Sequence, residues 1–121
     1  HDYHRHSAYV IAHVDAAGFS TNQLQRIAAL ALGQRGGVRK LESQLADGQL
    51  LDQLIALRLA VILCHARTPV AAGVPKLTRD GKLLTLRCPR NWSSEHARTR
   101  FLLKEEAEAW ARSGVLTLAV A

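Results

Sequence analysis

LLDQLIALRLAVILCHAR, Leu50 to Arg67, is the most continuous apolar segment of the chain, and its reading decides the fold. At helical spacing Leu51, Leu54, Ile55, Leu59, Ile62 and Leu63 fall close together, while Leu50, Leu57, Val61 and Cys64 widen the stripe around much of the cylinder. A helix so apolar on several sides is expected to be the central helix on which the other elements pack. Each such side chain, fully buried, contributes about 1.5–3 kcal/mol. Arg58 sits inside the stripe, and its guanidinium must reach a carboxylate, a phosphate or water. Snorkelling at the helix edge is the ordinary way to do so.

Working outward toward the N-terminus, GQRGGVRK (33–40) carries Arg35, Arg39 and Lys40 around Gly36 and Gly37. Glycines beside cations let backbone amides approach a phosphate. The spacing and ending are not those of a P-loop, and a flexible basic connection fits equally. LESQLADG (41–48) reads as a further helical turn. Before it, Ser20 with Gln23 three residues later forms a capping box, so a helix is expected from about Thr21 to Leu32, burying Leu24, Ile27, Ala28 and Leu32. Phe19 is its staple and Gly33 its C-terminal cap. The first helix would line Tyr9, Val10, His13 and Val14 on one face, with His1, His4, His6 and His13 near its polar side. Imidazoles can bind transition ions, but a solvated helix start explains the cluster as well, and no metal site is expected.

On the C-terminal side the pattern changes after Thr68-Pro69. VAAGVPKLTRDGKLLTLRCP reads as two strands joined at Asp80-Gly81, with Leu84, Leu86 and Cys88 on the packed face and Pro75 marking an edge. A short turn and a longer helix follow, placing Leu103, Ala107 and Trp110 on one face and ending at Gly114. VLTLAVA (115–121) is a last strand that can join the hairpin. The expected class is α+β: a helical part, residues 1–68, then a small β-β-α-β lobe, residues 74–121, packed on it.

In bulk, 121 residues with 48% hydrophobic and 21% charged side chains describe a folded chain rather than a disordered one. Sixteen Lys and Arg against ten Asp and Glu give a net charge of +6, which favours polyanionic partners without choosing among them. Cys64 and Cys88 both lie in apolar surroundings that suit small buried hydrophobes, and two cysteines so placed imply neither a disulfide nor secretion. Asp52, Gln53 and Arg58 break the longest apolar run below the roughly 20 residues a membrane span needs. A cytoplasmic protein without membrane contact is the expectation. The chain opens HDYHRHS rather than with methionine, as a piece of a longer protein would.

Three segments together, HRHSAYVIAHVDAAGFS, LRLAVILCHAR and LTLRCPRNWSSEHARTRFLLKEEAEAWARSG, resemble the C-terminal region of the exopolyphosphatase and guanosine-pentaphosphate phosphatase (Ppx/GppA) family. His6-Ser7-Ala8-Tyr9 match its HSAY signature, Gly18-Phe19 the following step, Arg58 the Leu-Arg-Leu helix motif, and Trp92 and His96 the turn before the last helix. The resemblance implies that the helical part is similar to HD-type phosphohydrolases. It also implies that N-terminal actin-like lobes of the same protein carry hydrolysis with magnesium. This region would then be non-catalytic, hold no cofactor, dimerise, and grip inorganic polyphosphate or guanosine pentaphosphate in a basic groove. Its candidate polyanion-binding residues are His4, Arg5, His6, Arg35, Arg39, Lys40 and Arg58. A free-standing nucleic-acid-binding domain is the alternative that the charge allows, although no aromatic recognition motif is present.

Overall fold

The computed structural model describes residues 3–65, 75–90 and 92–121. In order the chain forms α1 (Tyr3–His13), α2 (Thr21–Gly33), two single 3-10 turns at Arg39–Leu41 and Gln44–Ala46, α3 (Gly48–His65), β1 (Lys76–Asp80) and β2 (Leu83–Arg87). The one-turn α4 (Trp92–Glu95), then α5 (Ala97–Ser113) and β3 (Thr117–Val120) complete it. The class is α+β, helices first. Two compact units divide the chain, residues 1–58 and 59–121, so α3 contributes to both. His1 and the change of pattern at 68–73 lie outside the described residues.

In the first unit α1 and α2 form a helical hairpin. Ser20 caps α2: its Oγ accepts from the Gln23 amide at 3.1 Å while Gln23 Oε1 accepts from the Ser20 amide at 2.9 Å. The face of α1 that tucks in carries His4, Ala8, Ile11 and Ala12, all half-buried. Tyr9, Val10 and Val14, expected to share one face, are exposed, Tyr9 by 64%. Ala28, Ala29 and Gly33 are the buried residues of α2, whereas Ile27, expected inside, is exposed. Small side chains let the helices approach, and that moves the contact face toward the alanines.

Gly33 is not the cap that its position suggests. The helix runs through it, Gln34 follows in right-handed geometry, and Gln34 Nε2 donates to Ala31 O at 3.2 Å. A Cβ at Gly33 would stand 2.9 Å from Leu54 Cδ1 and in closer conflict with Leu41 Cδ1, so the glycine is there for close approach. The left-handed residue of this turn is Gly36, at φ +74°. Asp47 then starts α3, its Oδ1 accepting from the amides of Gln49 and Leu50 at 3.0 and 3.3 Å. Leu50, Leu51, Leu54, Ile55, Arg58 and Leu59 are buried along α3, while Leu57, Val61, Ile62 and Leu63 are half-buried. Cys64 is exposed and Cys88 half-buried, so only the second fits the apolar setting expected of both.

The second unit is a three-stranded sheet of order β1-β2-β3 with α5 against it. A two-residue turn, Gly81-Lys82, closes the antiparallel hairpin, with Asp80 opposite Leu83 and Lys76 opposite Arg87. β2 pairs in parallel with β3, Leu84 beside Leu118 and Leu86 beside Val120. Leu84 and Leu86 are buried, alternating with exposed Leu83 and Arg87, as the period of two demands. β1 is an edge, in keeping with Pro75 before it. Along α5 the buried residues Thr99, Leu103, Glu106 and Trp110 recur at intervals of three and four, one helical stripe. Gly114, left-handed at φ +72°, ends α5 and turns the chain into β3.

Candidate functional site

The seven cations and imidazoles singled out in the sequence fall in the first unit and do not form one surface. His4 is half-buried on the inner side of α1; Arg5 and His6 are exposed. Arg35 and Arg39 are exposed on the loop after α2, and Lys40 Nζ donates to Arg35 O at 2.8 Å, closing that loop on itself. Arg58 is only 6% exposed, and its Nη1 donates to Gly33 O at 2.6 Å. A cation on the last carbonyls of a helix satisfies an orphan acceptor and the negative end of the helix dipole. The structure therefore gives Arg58 a core role, joining α3 to the end of α2.

Beside these residues a groove of about 900 Å³ opens between α1, α2 and the entry to α3. Arg5, Ala8, Tyr9 and Ala12 line it from α1; Asn22, Gln25, Arg26, Ala28, Ala29 and Leu32 line it from α2; Gln44, Asp47 and Leu50 close it. Arg26 was not anticipated here. Its Nη2 donates to Asp47 Oδ2 at 2.8 Å and its Nη1 to Gln53 Oε1 at 3.1 Å, fastening α2 to the start of α3. The Leu50 amide, with Arg26 and the Gln49 amide adding to it against partial desolvation, holds the Asp47 carboxyl below its usual value. Tyr9 lies against His13, ring centroids 4.3 Å apart, and His13 Nδ1 is 2.8 Å from Tyr9 O.

The net charge lies elsewhere. Residues 1–58 hold six Lys and Arg against five Asp and Glu, a net of +1; residues 59–121 hold ten against five, a net of +5. Because β2 and β3 are parallel, α5 runs back between them and starts at the end of the sheet where β2 stops. That end gathers Lys76 opposite Arg87, then Arg90, Arg98 and Arg100, all exposed. Like charges facing across a strand pair repel unless an anion or water separates them. Among the described residues, Arg87, Arg90, Arg98 and Lys104 form no ion pair. Counting charge by halves of the sequence would have found this lobe.

A small cavity of about 120 Å³ lies at the same end, lined by Cys88, Pro89, Trp92, Arg100, Val120 and Ala121. Burial pushes the Cys88 thiol up, and the charge of Arg100 opposes that in part. Trp92, buried, stacks on His96 with centroids 4.7 Å apart and planes 17° from parallel, and His96 Nδ1 is 2.9 Å from Trp92 O. Glu106 is the other feature missed from sequence: buried, it accepts from Trp110 Nε1 at 2.8 Å across one helical turn. Among the described residues, no three His, Cys, Asp or Glu converge as a metal site would require.

Residues 1–107 match the family model of the Ppx/GppA phosphatases, domain III. The chain belongs to that family. Domain III relatives share sequence over most of this length. A guanosine-5'-triphosphate,3'-diphosphate pyrophosphatase of Pseudoalteromonas translucida is 31% identical over 93% of the chain, and one of Aeromonas hydrophila 34% over 91%. A protein of the same name from Vibrio vulnificus is 36% identical over 84%. In each the match covers 21–23% of the relative, so the chain spans under a quarter of the curated relatives it matches. No helix among the described residues of this domain III is long and apolar enough to cross a membrane.

Proposed function

We propose that this chain is a non-catalytic, substrate-holding and dimerising part of a cytoplasmic phosphatase acting on inorganic polyphosphate or guanosine pentaphosphate. In this reading actin-like lobes of the same protein, with magnesium, cut the bond, and the helical unit is a catalytically silent relative of HD-type phosphohydrolases. One observation carries it: a chain of this family bears five of its six net positive charges on residues 59–121, where every described Lys and Arg is exposed. Guanidinium groups bind phosphate oxygens through paired donors, and contacts repeated along a polymer add up. Within the first unit, Arg5, Arg35 and Arg39 are exposed cations of the candidate set.

The test is fluorescence polarisation of labelled long-chain polyphosphate with the 121-residue chain at low and moderate salt. Binding that weakens with salt is expected. Replacing Arg87, Arg90, Arg98 and Arg100 by Gln should flatten the salt dependence by roughly 0.7 in log–log slope per cation lost. Substituting Arg35, Arg39 and Lys40 should flatten it less. Absence of binding at low salt refutes the reading. A second reading, single-stranded nucleic acid, is favoured by Phe101, 61% exposed one turn from Arg98 and Lys104, because an exposed ring can stack on a base. A gel shift with preference for RNA or DNA over polyphosphate would select it.

A further inference from the structure

We propose that β1 is a self-association edge: two copies of this chain pair their β1 strands antiparallel about a two-fold axis at Thr78, joining their sheets into one. The inference names a surface for the dimerising part of the proposed function and rests on that part alone. Every residue of β1 is exposed, and the strand is an edge. An edge strand offers a row of backbone donors and acceptors to another strand. Which groups those are follows from the far side of the hairpin. Lys82 O accepts from the Thr117 amide at 2.9 Å, Leu86 O accepts from the Ala121 amide at 2.8 Å, and the Cys88 amide donates to Ala121 O at 2.8 Å. The even-numbered residues there serve β3, so Leu83, Thr85 and Arg87 turn their backbone groups toward β1. Their partners Asp80, Thr78 and Lys76 face inward, leaving Leu77 and Arg79 with outward N–H and C=O groups.

Only outward groups can pair, so the possible registers differ by steps of two residues. With Thr78 on the axis, Leu77 of each copy exchanges hydrogen bonds with Arg79 of the other, and Lys76 of each stands opposite Asp80 of the other. The Lys76 and Asp80 pairs are of the non-hydrogen-bonded kind, in which side chains come closest. Among the described residues neither Lys76 nor Asp80 forms an ion pair. Each gains one, and Asp80 of the second copy also relieves the like-charge contact of Lys76 with Arg87. Leu77, 42% exposed, shares a face with buried Leu84 and Leu86 and meets Leu77 of the second copy diagonally. The neighbouring registers fail: one sets Arg79 against Arg79, and the other sets Arg79 against Pro75, which has no N–H. β3, the other edge, has no charged residue to fix a register. The contact is the same patch on both copies, so it closes at two.

The test is sedimentation velocity of the 121-residue chain from micromolar to near-millimolar concentration, with Lys76→Asp, Asp80→Lys, an equimolar mixture of those two variants, and Leu77→Pro. The native chain is expected to dimerise reversibly. Each charge variant puts like charges at both ends of the paired strands and should weaken the dimer at least about tenfold. The mixture should recover it as a heterodimer, because the acidic strand of one variant then faces the basic strand of the other. Leu77→Pro removes an outward N–H that β2 does not use, and should abolish association while circular dichroism shows the native fold kept. A dimer that any of these single variants leaves unchanged overturns the inference but not the dimerising reading, since another surface is then responsible. A chain monomeric throughout overturns both, and leaves the edge to an extended segment of a different protein. Charge variants that weaken the dimer but do not recover on mixing also overturn the inference, because the loss is then unfolding or general repulsion. Polyphosphate binding, measured separately, decides neither.

Discussion

Residues 1–58 and 59–121 are nearly equal in length and are built on opposite plans. The first is helical, close to neutral, and held by close approach: alanines between α1 and α2, and a glycine that admits Leu54 and Leu41. The second is a sheet and helix, strongly basic, and held by bulk, with Trp110 and Leu103 wholly buried. Each buries a group capable of charge and answers it locally. Arg58 meets a carbonyl at the end of α2, and Glu106 meets the indole N–H one turn away. Sequence hydrophobicity alone does not distinguish a helix contact made through small residues from one made through large ones, yet the two respond differently to substitution.

The sharpest test of that contrast is Trp110→Ala. Removing a wholly buried indole should cost the second unit about 3–5 kcal/mol in denaturant unfolding. A loss below about 1 kcal/mol would break the comparison, since bulk would then not be what holds this unit. Trp110→Phe, keeping most of the ring but not its N–H, should cost about 1–3 kcal/mol for the partner withdrawn from Glu106.

In the first unit Arg58→Met should cost about 1–3 kcal/mol, because Gly33 O loses a charged donor while staying buried. Gly33→Ala sets overpacking of about 1–3 kcal/mol against a gain in helix propensity of up to about 1 kcal/mol, so a net loss near 1 kcal/mol is expected. If Gly33→Ala were stabilising, close approach would not be the principle of this unit.

The smallest effect concerns Asp47→Asn, which keeps a capping side chain but removes the carboxylate paired with Arg26. The folded carboxyl lies below its usual 3.8, so its contribution is present above that value and disappears as pH falls through the lowered folded value. Unfolding curves should show the native protein slightly more stable than Asp47→Asn at neutral pH. The gap should close in acid below 3.8.

Much of this was legible because local signals act within a few residues. The capping box at Ser20 and Gln23, the hairpin at Gly81, the stop at Gly114 and the alternation in β2 all follow from chemistry within one turn or one strand pair. Gly33 was misread for the same reason. A glycine near a helix end looks like a cap, and only Leu41 and Leu54, distant in sequence, show that it is a packing contact. Tyr9, Val10 and Ile27 look like core residues by spacing, but the alanine faces of α1 and α2 approach more closely and take the interface. The candidate cations were sought where glycine and arginine cluster in sequence. The denser charge lay on strands and a helix start, where alternation with leucine hides it.

By itself the sequence determined the α+β class, the order and approximate ends of the elements, the basic balance and the family resemblance, because periodicity, caps and composition are properties of neighbouring residues. Tertiary structure alone decided that Arg58 joins the end of α2 to α3, that Gly33 is a contact, and that Arg5, Asn22, Gln25 and Gln44 share one groove. Those facts depend on which faces of separate elements meet, and packing between residues far apart in the chain sets that, not the pattern within any one of them.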